Sequence, residues 1–214
     1  MNAKTFIRSL TLLGITLTGI AVFLLFTVSN KRTTSTPEDN VILLDENPYA
    51  TFHIPDFNLT DQRNNPITHD ILEGEYTVVD FFFTSCPLYC PGMTSAMRRV
   101  QDETTDTPLR FLSVSIDGHL DTPEIIDDYA KRYSADPERW IFATGDPELV
   151  HQIVFDGLKF DLGDPKDEDS GRLINHPTRL ILVAPDRTVL GLYRYDDPEQ
   201  IDDLIRDAKE FTDN

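Results

Sequence analysis

The chain contains very little cysteine. Only Cys86 and Cys90 occur among its 214 residues. Two sulfur atoms are too few for a disulfide-stapled scaffold, and they also exclude zinc and iron–sulfur sites that take four thiolates from one chain. Two cysteines so close in sequence remain compatible with chance neighbours, a redox pair or two ligands of one metal ion.

Acidic residues are absent ahead of Glu38, and basic residues are scarce after Arg32. Lys4, Arg8, Lys31 and Arg32 are four of the 19 basic residues. The other 15 stand against 37 acidic residues, so the net charge beyond Arg32 is −22, compared with −18 for the whole chain. Such a surface repels phosphate backbones and anionic headgroups, which argues against nucleic-acid binding and a polybasic membrane patch. We interpret the acidic residues as a solvated surface rather than a docking face for a basic partner.

Charged residues are also absent from residues 9–30, which form a predominantly apolar stretch of 22 residues. As a helix this stretch would be about 33 Å long, enough to cross a hydrocarbon core of about 30 Å. Its end lacks the small residues of a cleavage site, and no cysteine follows directly that could carry a lipid anchor. We predict that residues 1–32 are a signal-anchor in the inner (cytoplasmic) membrane, with cleavage as the alternative. Residues 33–48 are then a linker, and 49–214 one domain on the extracytoplasmic, periplasmic side.

The rest of the chain alternates between strand and helix patterns. Residues 76–83 are nearly continuously apolar, which is typical of a central strand covered on both faces. The alternation predicts an α/β fold with a mostly parallel sheet, helices on both faces and antiparallel hairpins. This is a thioredoxin-like plan with an added N-terminal β-hairpin and a long loop before the last hairpin. We expect a hairpin over 52–60 and 66–68, further strands at 110–116, 140–143, 178–183 and 189–193, and helices over 92–104, up to 133, from 147 to about 155, and from 197 onward.

Three of the predicted helices share a start signal. It reads DTPE at residues 121–124 and DPE at residues 146–148 and 197–199. In each we expect a capping side chain, a proline in the first turn and an acid near the positive end of the helix dipole.

The two cysteines lie where the strand over 76–83 ends and the next helix begins. Free N–H groups and the helix dipole at such a position favour thiolate over thiol. Residues four apart share one helix face, so the sulfurs of Cys86 and Cys90 can point at one ion or at each other. Thiolate is both the nucleophile and a soft metal ligand, and the position therefore suits either role better than simple core packing.

A metal held by two thiolates needs a further donor. His176 is the favoured one of five histidines, because it ends a long loop and immediately precedes the strand from Thr178. Pro177-Thr178 resembles the cis-proline loop of thioredoxins, which faces the cysteines, so we expect His176 to lie against them. Two thiolates and one imidazole favour Cu(I) and are compatible with Cu(II), whereas zinc would need a fourth ligand. The remaining four are interpreted as surface or satisfied histidines: His53, His69, His119 and His151.

Three more residues near the cysteines require an interpretation. Asp80 lies in the apolar strand six residues before Cys86, the offset of the buried aspartate of thioredoxins. We expect it to have a raised pKa and to be a candidate proton acceptor for the cysteines. Met93 and Met97 follow Cys90 at one-turn spacing, and we interpret them as core residues rather than metal contacts.

Several segments of the sequence resemble one known family. They are FTSCPLYCPGM after the apolar strand, SID with DTPE after the next strand, the acidic DPKDED, and NHPTRLILVAPD before the last hairpin. Together they resemble the Sco/SenC proteins, which are membrane-anchored, thioredoxin-like copper proteins that help to assemble the binuclear copper (CuA) site of cytochrome c oxidase. The resemblance runs from about residue 56 to the C-terminal helix.

This resemblance implies that Cys86, Cys90 and His176 are the ligands of one copper ion, as Cu(I), Cu(II) or both. It matches Asp117 to a family aspartate near the site, and Asp80 to one in close relatives. It also implies as partners the copper-binding subunit of cytochrome c oxidase, an upstream copper donor, and the membrane through the N-terminal helix.

Two positions depart from the family pattern. Gly118 follows SID where proline is usual, and Pro177 follows the histidine where serine or threonine is common. These departures make His119 an alternative donor to His176.

Two functions follow from these residues. The first is a metallochaperone without turnover, in which Cys86, Cys90 and His176 bind copper. The second is a thiol–disulfide reductase that keeps the oxidase's copper-ligand cysteines reduced through the redox pair Cys86 and Cys90, with Asp80 accepting a proton. The two can coexist, because copper hand-over can be coupled to forming the Cys86–Cys90 disulfide bond. A thiol peroxidase is weaker, since nothing supplies the threonine and arginine setting of a peroxide-reactive cysteine.

Overall fold

The computed structural model describes residues 47–159 and 178–213. Seven strands lie in these ranges: β1 (Asn58–Asp61), β2 (Pro66–Thr68), β3 (Thr77–Phe82), β4 (Arg110–Ser115), β5 (Trp140–Thr144), β6 (Arg179–Val183) and β7 (Val189–Arg194). The helices are α1 (Cys90–Glu103), α2 (Pro123–Arg132), α3 (Pro147–Gln152) and α4 (Pro198–Thr212). A 3₁₀ turn at His69–Leu72 follows β2, and a π-helical turn at Ile153–Gly157 continues α3.

The strands form one sheet in the order β2-β1-β5-β4-β3-β6-β7. Its centre is parallel, with β4 lying between β3 and β5. The other described pairings, β1–β2, β1–β5, β3–β6 and β6–β7, are antiparallel. The expectation of a mostly parallel sheet is therefore wrong outside the centre. Crossover helices carry the chain from β3 to β4 and on to β5, whereas short turns join β1 to β2 and β6 to β7, and a short turn can only link antiparallel strands.

The strand β3 is the centre of the core. All six of its residues are buried, as predicted for a strand covered on both faces. Aromatic side chains of β5, on the far side of β4, extend this core: Phe142 meets Phe82 edge to face at 5.5 Å, and the Trp140 and Phe142 rings lie 5.0 Å apart. The methionines of α1, Met93 and Met97, are fully buried, which confirms that they pack in the core.

The helix starts show where the shared signal holds and where it fails. Asp146 and Asp197 cap α3 and α4, each accepting a hydrogen bond from the N–H two residues ahead. The N-cap of α2 is Thr122, and it makes no side-chain capping bond. The expectation of a side-chain cap at residues 121–124 is therefore wrong, and Asp121 makes other contacts.

Some predictions concern residues outside the described ranges. These include the signal-anchor over 1–32, nearly all of the linker, the long loop before β6, and the residues His176 and Pro177. Within residues 47–159 and 178–213, no helix combines the length and apolar character that crossing a membrane requires.

Candidate metal and redox site

The two cysteines meet at the start of α1. Cys86 lies in the segment between β3 and α1, and Cys90 is the first residue of that helix. The N-cap residue Tyr89 makes no side-chain capping bond, and the Cys90 N–H donates instead to Cys86 Sγ at 3.5 Å. The sulfur thus accepts one of the N–H groups that a helix start leaves without an intrahelical partner. No disulfide bond joins the two cysteines, and the structure brings the predicted pair together.

The two thiols have opposite acidities. Burial raises the pKa of Cys86, but N–H groups of Cys90, Leu88 and Tyr89 donate to its sulfur and outweigh burial, so the pKa is lowered overall. Burial raises the pKa of Cys90 well above its usual range, and the charges of Cys86 and Asp80 add to that rise. Cys86 is 8% exposed and Cys90 is fully enclosed. Cys86 is therefore the more reactive and accessible thiol, and Cys90 the protected one.

Asp80 is a buried carboxylate inside β3. Its Oδ1 accepts a hydrogen bond from Ser113 Oγ at 2.5 Å, and Ser113 Oγ accepts one from Trp140 Nε1 at 2.9 Å. No donor among the described residues reaches Oδ2. Burial raises the pKa of Asp80 to about 7, despite the opposing hydrogen bond from Ser113. The prediction of a buried aspartate with a raised pKa is confirmed, while its part in proton transfer stays a prediction.

The loop after β4 is tied to the segment that carries Cys86. Asp121, almost fully buried, accepts hydrogen bonds from the Thr84 N–H at 3.0 Å and from Thr84 Oγ1 at 2.5 Å. Its Oδ2 also accepts from Ser115 Oγ at 2.6 Å, and the Asp117 N–H donates to that serine oxygen at 3.1 Å. The buried Asp117 therefore lies in the loop that Asp121 connects to Thr84, while its place near a metal stays a prediction.

Gly118 explains one of the two departures from the family pattern. A Cβ atom added there would lie 1.7 Å from the carbonyl oxygen of Gly145. Proline carries a Cβ, so neither it nor any other side chain fits this loop as it is packed. The glycine reflects a close approach between the loop after β4 and the turn after β5.

Tyr195, just after β7, borders the site and was not found from the sequence. A Cβ on Gly92 in the first turn of α1 would lie 2.7 Å from Tyr195 Cε2, so the ring lies directly against that turn. Burial raises the pKa of Tyr195, and Asp196, Tyr89 and the two cysteines contribute to that rise. A tyrosine more than a hundred residues away in sequence gives no local signal of this contact.

The described residues supply only part of a copper site. The two sulfurs are soft ligands suited to Cu(I). In the described ranges no histidine or carboxylate lies close enough to both cysteines to act as a third ligand, and His119 is among those that do not. One other group of potential ligands was missed from the sequence: His69, Asp70 and Glu73, of which the two acids are exposed. A third copper donor would therefore come from outside the described ranges, where His176 lies.

Four exposed apolar side chains lie in the segments that follow β3 and β4, and these two parallel strands end at the same edge of the sheet. Leu88, 62% exposed, and Tyr89 lie between the two cysteines, and Leu120 lies in the loop that Asp121 ties to Thr84. Ile125, in the first turn of α2, is also exposed. The other large exposed apolar side chain of the described residues is Phe155, in the π-helical turn. We call Leu88, Tyr89, Leu120 and Ile125 the apolar rim, and exposed apolar groups of this kind are typical of protein contact sites.

Comparisons with known proteins find relatives of this chain both in sequence and in fold. The SCO1/SenC family profile matches residues 45–213. A SCO1 protein homolog of Bacillus subtilis is 28% identical over 161 residues, 74% of this chain and 82% of the relative. A solved structure of BsSco, presented as a member of the Sco family of cytochrome c oxidase assembly proteins, has a TM-score of 0.66 and 26% identity, covering 76% of this chain and 95% of that one.

A more distant structure shows the same fold. Arabidopsis thaliana ScoI with copper bound has a TM-score of 0.61 at 21% identity, covering 73% of this chain and 98% of its own. These likenesses confirm the predicted α/β, thioredoxin-like fold of the described domain. With the profile match over most of its length, the chain belongs to the SCO1/SenC family.

Proposed function

We propose that this chain is a copper metallochaperone for the CuA site of cytochrome c oxidase, with Cys86, Cys90 and His176 as ligands of its copper cargo. The observation that carries the proposal is the cysteine pair at the start of α1, which no disulfide bond joins. One of these thiols has a lowered pKa and is therefore readily available as a thiolate ligand. Membership of the family supports the choice of metal, since a family member, Arabidopsis ScoI, has been solved with copper bound.

The strand register supports His176 as the third ligand. β6 pairs antiparallel with β3, from Thr77 opposite Val183 to Val79 opposite Ile181. β6 therefore begins at the sheet edge where β3 ends and the cysteine segment starts. His176 lies three residues before Arg179, the first residue of β6, which is a short enough separation to bring an imidazole to that edge.

Copper retention tests this function. Reduced protein, loaded with Cu(I) and desalted, should keep about one copper per chain. Cys86→Ser and Cys90→Ser should each abolish retention, because a single thiolate is a poor site for Cu(I). His176→Ala should weaken binding at least about tenfold, and His151→Ala, on α3, serves as the histidine control. Wild-type protein without copper after desalting would refute the proposal.

A second function, thiol–disulfide reduction, is favoured by the opposite acidities of the cysteines. Cys86 thiolate would attack the partner disulfide, forming a mixed disulfide and releasing one partner thiolate. Cys90 would then lose its proton to Asp80 and attack Cys86 Sγ, giving the Cys86–Cys90 disulfide and the fully reduced partner. The buried Asp80, with a pKa of about 7, supports this role. His176→Ala separates the functions, since reduction should survive the loss of copper binding.

We also propose that residues 1–32 anchor the chain in the membrane with the copper domain outside the cytoplasm. The uncharged stretch of 22 residues supports this. Full-length protein should stay in the membrane fraction after an alkaline carbonate wash, and a chain lacking residues 1–32 should be released. Release of both would contradict the anchor.

A further inference from the structure

The start of α2 differs from two other helix starts in a way that frees an acidic side chain. In DPE at residues 146–148 and 197–199 the aspartate directly precedes the proline and caps the helix. In DTPE the extra residue Thr122 takes the capping position, and its hydroxyl donates to Glu124 Oε2 at 2.8 Å. Asp121 is moved one residue back from the helix and has no capping role.

The carboxylate of Asp121 instead joins the ends of two parallel strands. Thr84 follows the end of β3 and precedes Cys86 by two residues, and Ser115 ends β4. Asp121 accepts the backbone N–H and the hydroxyl of Thr84 and the hydroxyl of Ser115. A carboxylate with about 1% exposure is tolerated only when donors compensate its desolvation, and three do so here.

The loop that carries Asp121 is itself held in place. Both the Leu120 and Asp121 N–H groups donate to the Asp117 carbonyl at 2.9 Å, which closes a tight turn. Gly118 packs against the Gly145 carbonyl on the other side. The carboxylate oxygens of Asp121 therefore have a fixed position, and their hydrogen bonds hold the Thr84 segment in place.

We propose that Asp121 is a positioning residue for the cysteine pair. It fixes Thr84 so that the chain leaves β3 in the one direction that presents Cys86 Sγ to the N–H groups at the start of α1. Without this tie, the segment from Thr84 to Cys86 is free to shift relative to Cys90, and the two sulfurs no longer act as a preset pair. The copper consequence rests on the proposed function, while the consequence for the thiol pair does not.

Two substitutions of Asp121 distinguish the effect of its hydrogen bonds on the position of Thr84 from the effect of its negative charge. Asp121→Asn removes the charge but keeps an oxygen that can accept from the Thr84 N–H and from Ser115. Asp121→Leu has similar size and accepts no hydrogen bond. Thr84→Val removes the hydroxyl that donates to Asp121, and Thr84→Ser keeps it. This milder pair tests the proposal even if Asp121→Leu fails to fold. Asp61 provides the matched control, since its carboxylate also accepts three hydrogen bonds but lies at the β1–β2 turn.

The main measurement is the thiol–disulfide equilibrium of the metal-free, full-length protein in glutathione buffers, because it reports how well Cys86 and Cys90 are preset. Asp121→Leu should lower the equilibrium constant for the Cys86–Cys90 disulfide at least about tenfold, Thr84→Val about threefold, and Asp121→Asn and Thr84→Ser less than about threefold. The same two substitutions at Asp61 should leave it unchanged. Copper retention should fall in the same order.

The outcomes distinguish the proposals. If Asp121→Leu and Thr84→Val lower only the unfolding temperature and leave the disulfide equilibrium unchanged, Asp121 is merely structural and the inference is overturned. If Asp121→Asn is as damaging as Asp121→Leu, charge rather than position matters, and the inference is again wrong. If the wild type binds no copper but the equilibrium shifts as expected, the proposed copper function fails and the positioning role stands.

Discussion

At the residue scale, the chemistry of the site depends on the different environments of the two cysteines. Cys86 is slightly exposed, and its sulfur accepts hydrogen bonds from backbone N–H groups. Cys90 is enclosed, and the charge of the buried Asp80 acts on it. The sequence predicted the pair, its place at a helix start and the raised pKa of Asp80, because all three depend on local order along the chain. It did not predict Tyr195 or the Thr84–Asp121 tie, because these contacts depend on which distant segments the sheet brings together.

Asp80 makes the stability of the protein depend on pH. Its pKa rises from 3.8 to about 7 on folding, so between these values the folded state binds a proton that the unfolded state has lost. Stability therefore falls as pH rises from about 4 to about 7 and levels off above, with a contribution on the order of 4 kcal/mol. Asp80→Asn should remove this fall, which urea unfolding at several pH values will measure.

The control for this experiment is a surface aspartate with the opposite shift. A hydrogen bond from Arg98 lowers the pKa of Asp102, so its effect on stability belongs at pH values below about 4. Asp102→Asn should leave the slope between pH 4 and 7 unchanged. A wild-type stability that is flat over this window would mean that Asp80 ionises normally.

At the element scale, strands and helices largely follow their sequence patterns, but their ends do not. The alternation predicted the order of strands and helices, and hydrophobic runs predicted β3 and β4, since burial on both faces leaves a direct pattern. The direction of β6 against β3 was not predicted, because it is set by the path of the chain between elements. The DTPE signal predicted a helix start correctly and its capping bond wrongly, because Asp121 bonds instead to a loop 37 residues earlier in the chain.

The loop after β4 provides a stability prediction. Gly118→Ala would place a methyl group 1.7 Å from the Gly145 carbonyl oxygen, so the loop or the turn after β5 must move. We expect a loss of roughly 1–3 kcal/mol in unfolding free energy, the range for overpacked sites. The disulfide equilibrium should change as well, because the same loop carries Asp121.

Gly74→Ala is the matched comparison for Gly118→Ala. Gly74 has a φ of +82° and no atom within 4 Å of an added Cβ, so its substitution strains the backbone without a collision. It should destabilise by about 1 kcal/mol and leave the cysteine pair unaffected. Equal effects of both substitutions on the disulfide equilibrium would contradict a specific role for the loop after β4.

At the scale of the whole molecule, the net charge and the exposed apolar side chains affect different kinds of contact. The net charge of −22 beyond Arg32 belongs to the part of the chain that contains the site, and it disfavours contact with nucleic acid and with anionic lipid surfaces. Under the proposed function, we expect metal or electrons to pass to a partner at the apolar rim of Leu88, Tyr89, Leu120 and Ile125, all of which are exposed. Contact of a partner at this rim would exclude water around the sulfur of Cys86.

Leu88→Glu should separate partner contact from metal binding. Copper transfer from this chain to a purified copper-binding domain of an oxidase should slow at least about tenfold, because a charge is placed at the centre of the rim. Copper uptake from a small chelator should be unchanged. Phe155→Glu, at a side chain that is 50% exposed in the π-helical turn, should leave both rates unchanged.

Equal transfer by Leu88→Glu and wild type would show that the rim plays no part in docking. A loss of uptake from the small chelator would instead place the effect on the metal site itself.

The unequal exposure of the two cysteines also bears on oxidative damage. An oxidant such as hydrogen peroxide that enters the site meets Cys86 first, because Cys90 is enclosed behind it. Oxidation converts Cys86 to a sulfenic acid, and the neighbouring Cys90 thiol can condense with it to give a disulfide and water. Formation of this reversible disulfide competes with further oxidation of Cys86 to the irreversible sulfinic acid. The geometry that presents one sulfur to solvent thus also keeps its repair partner within reach.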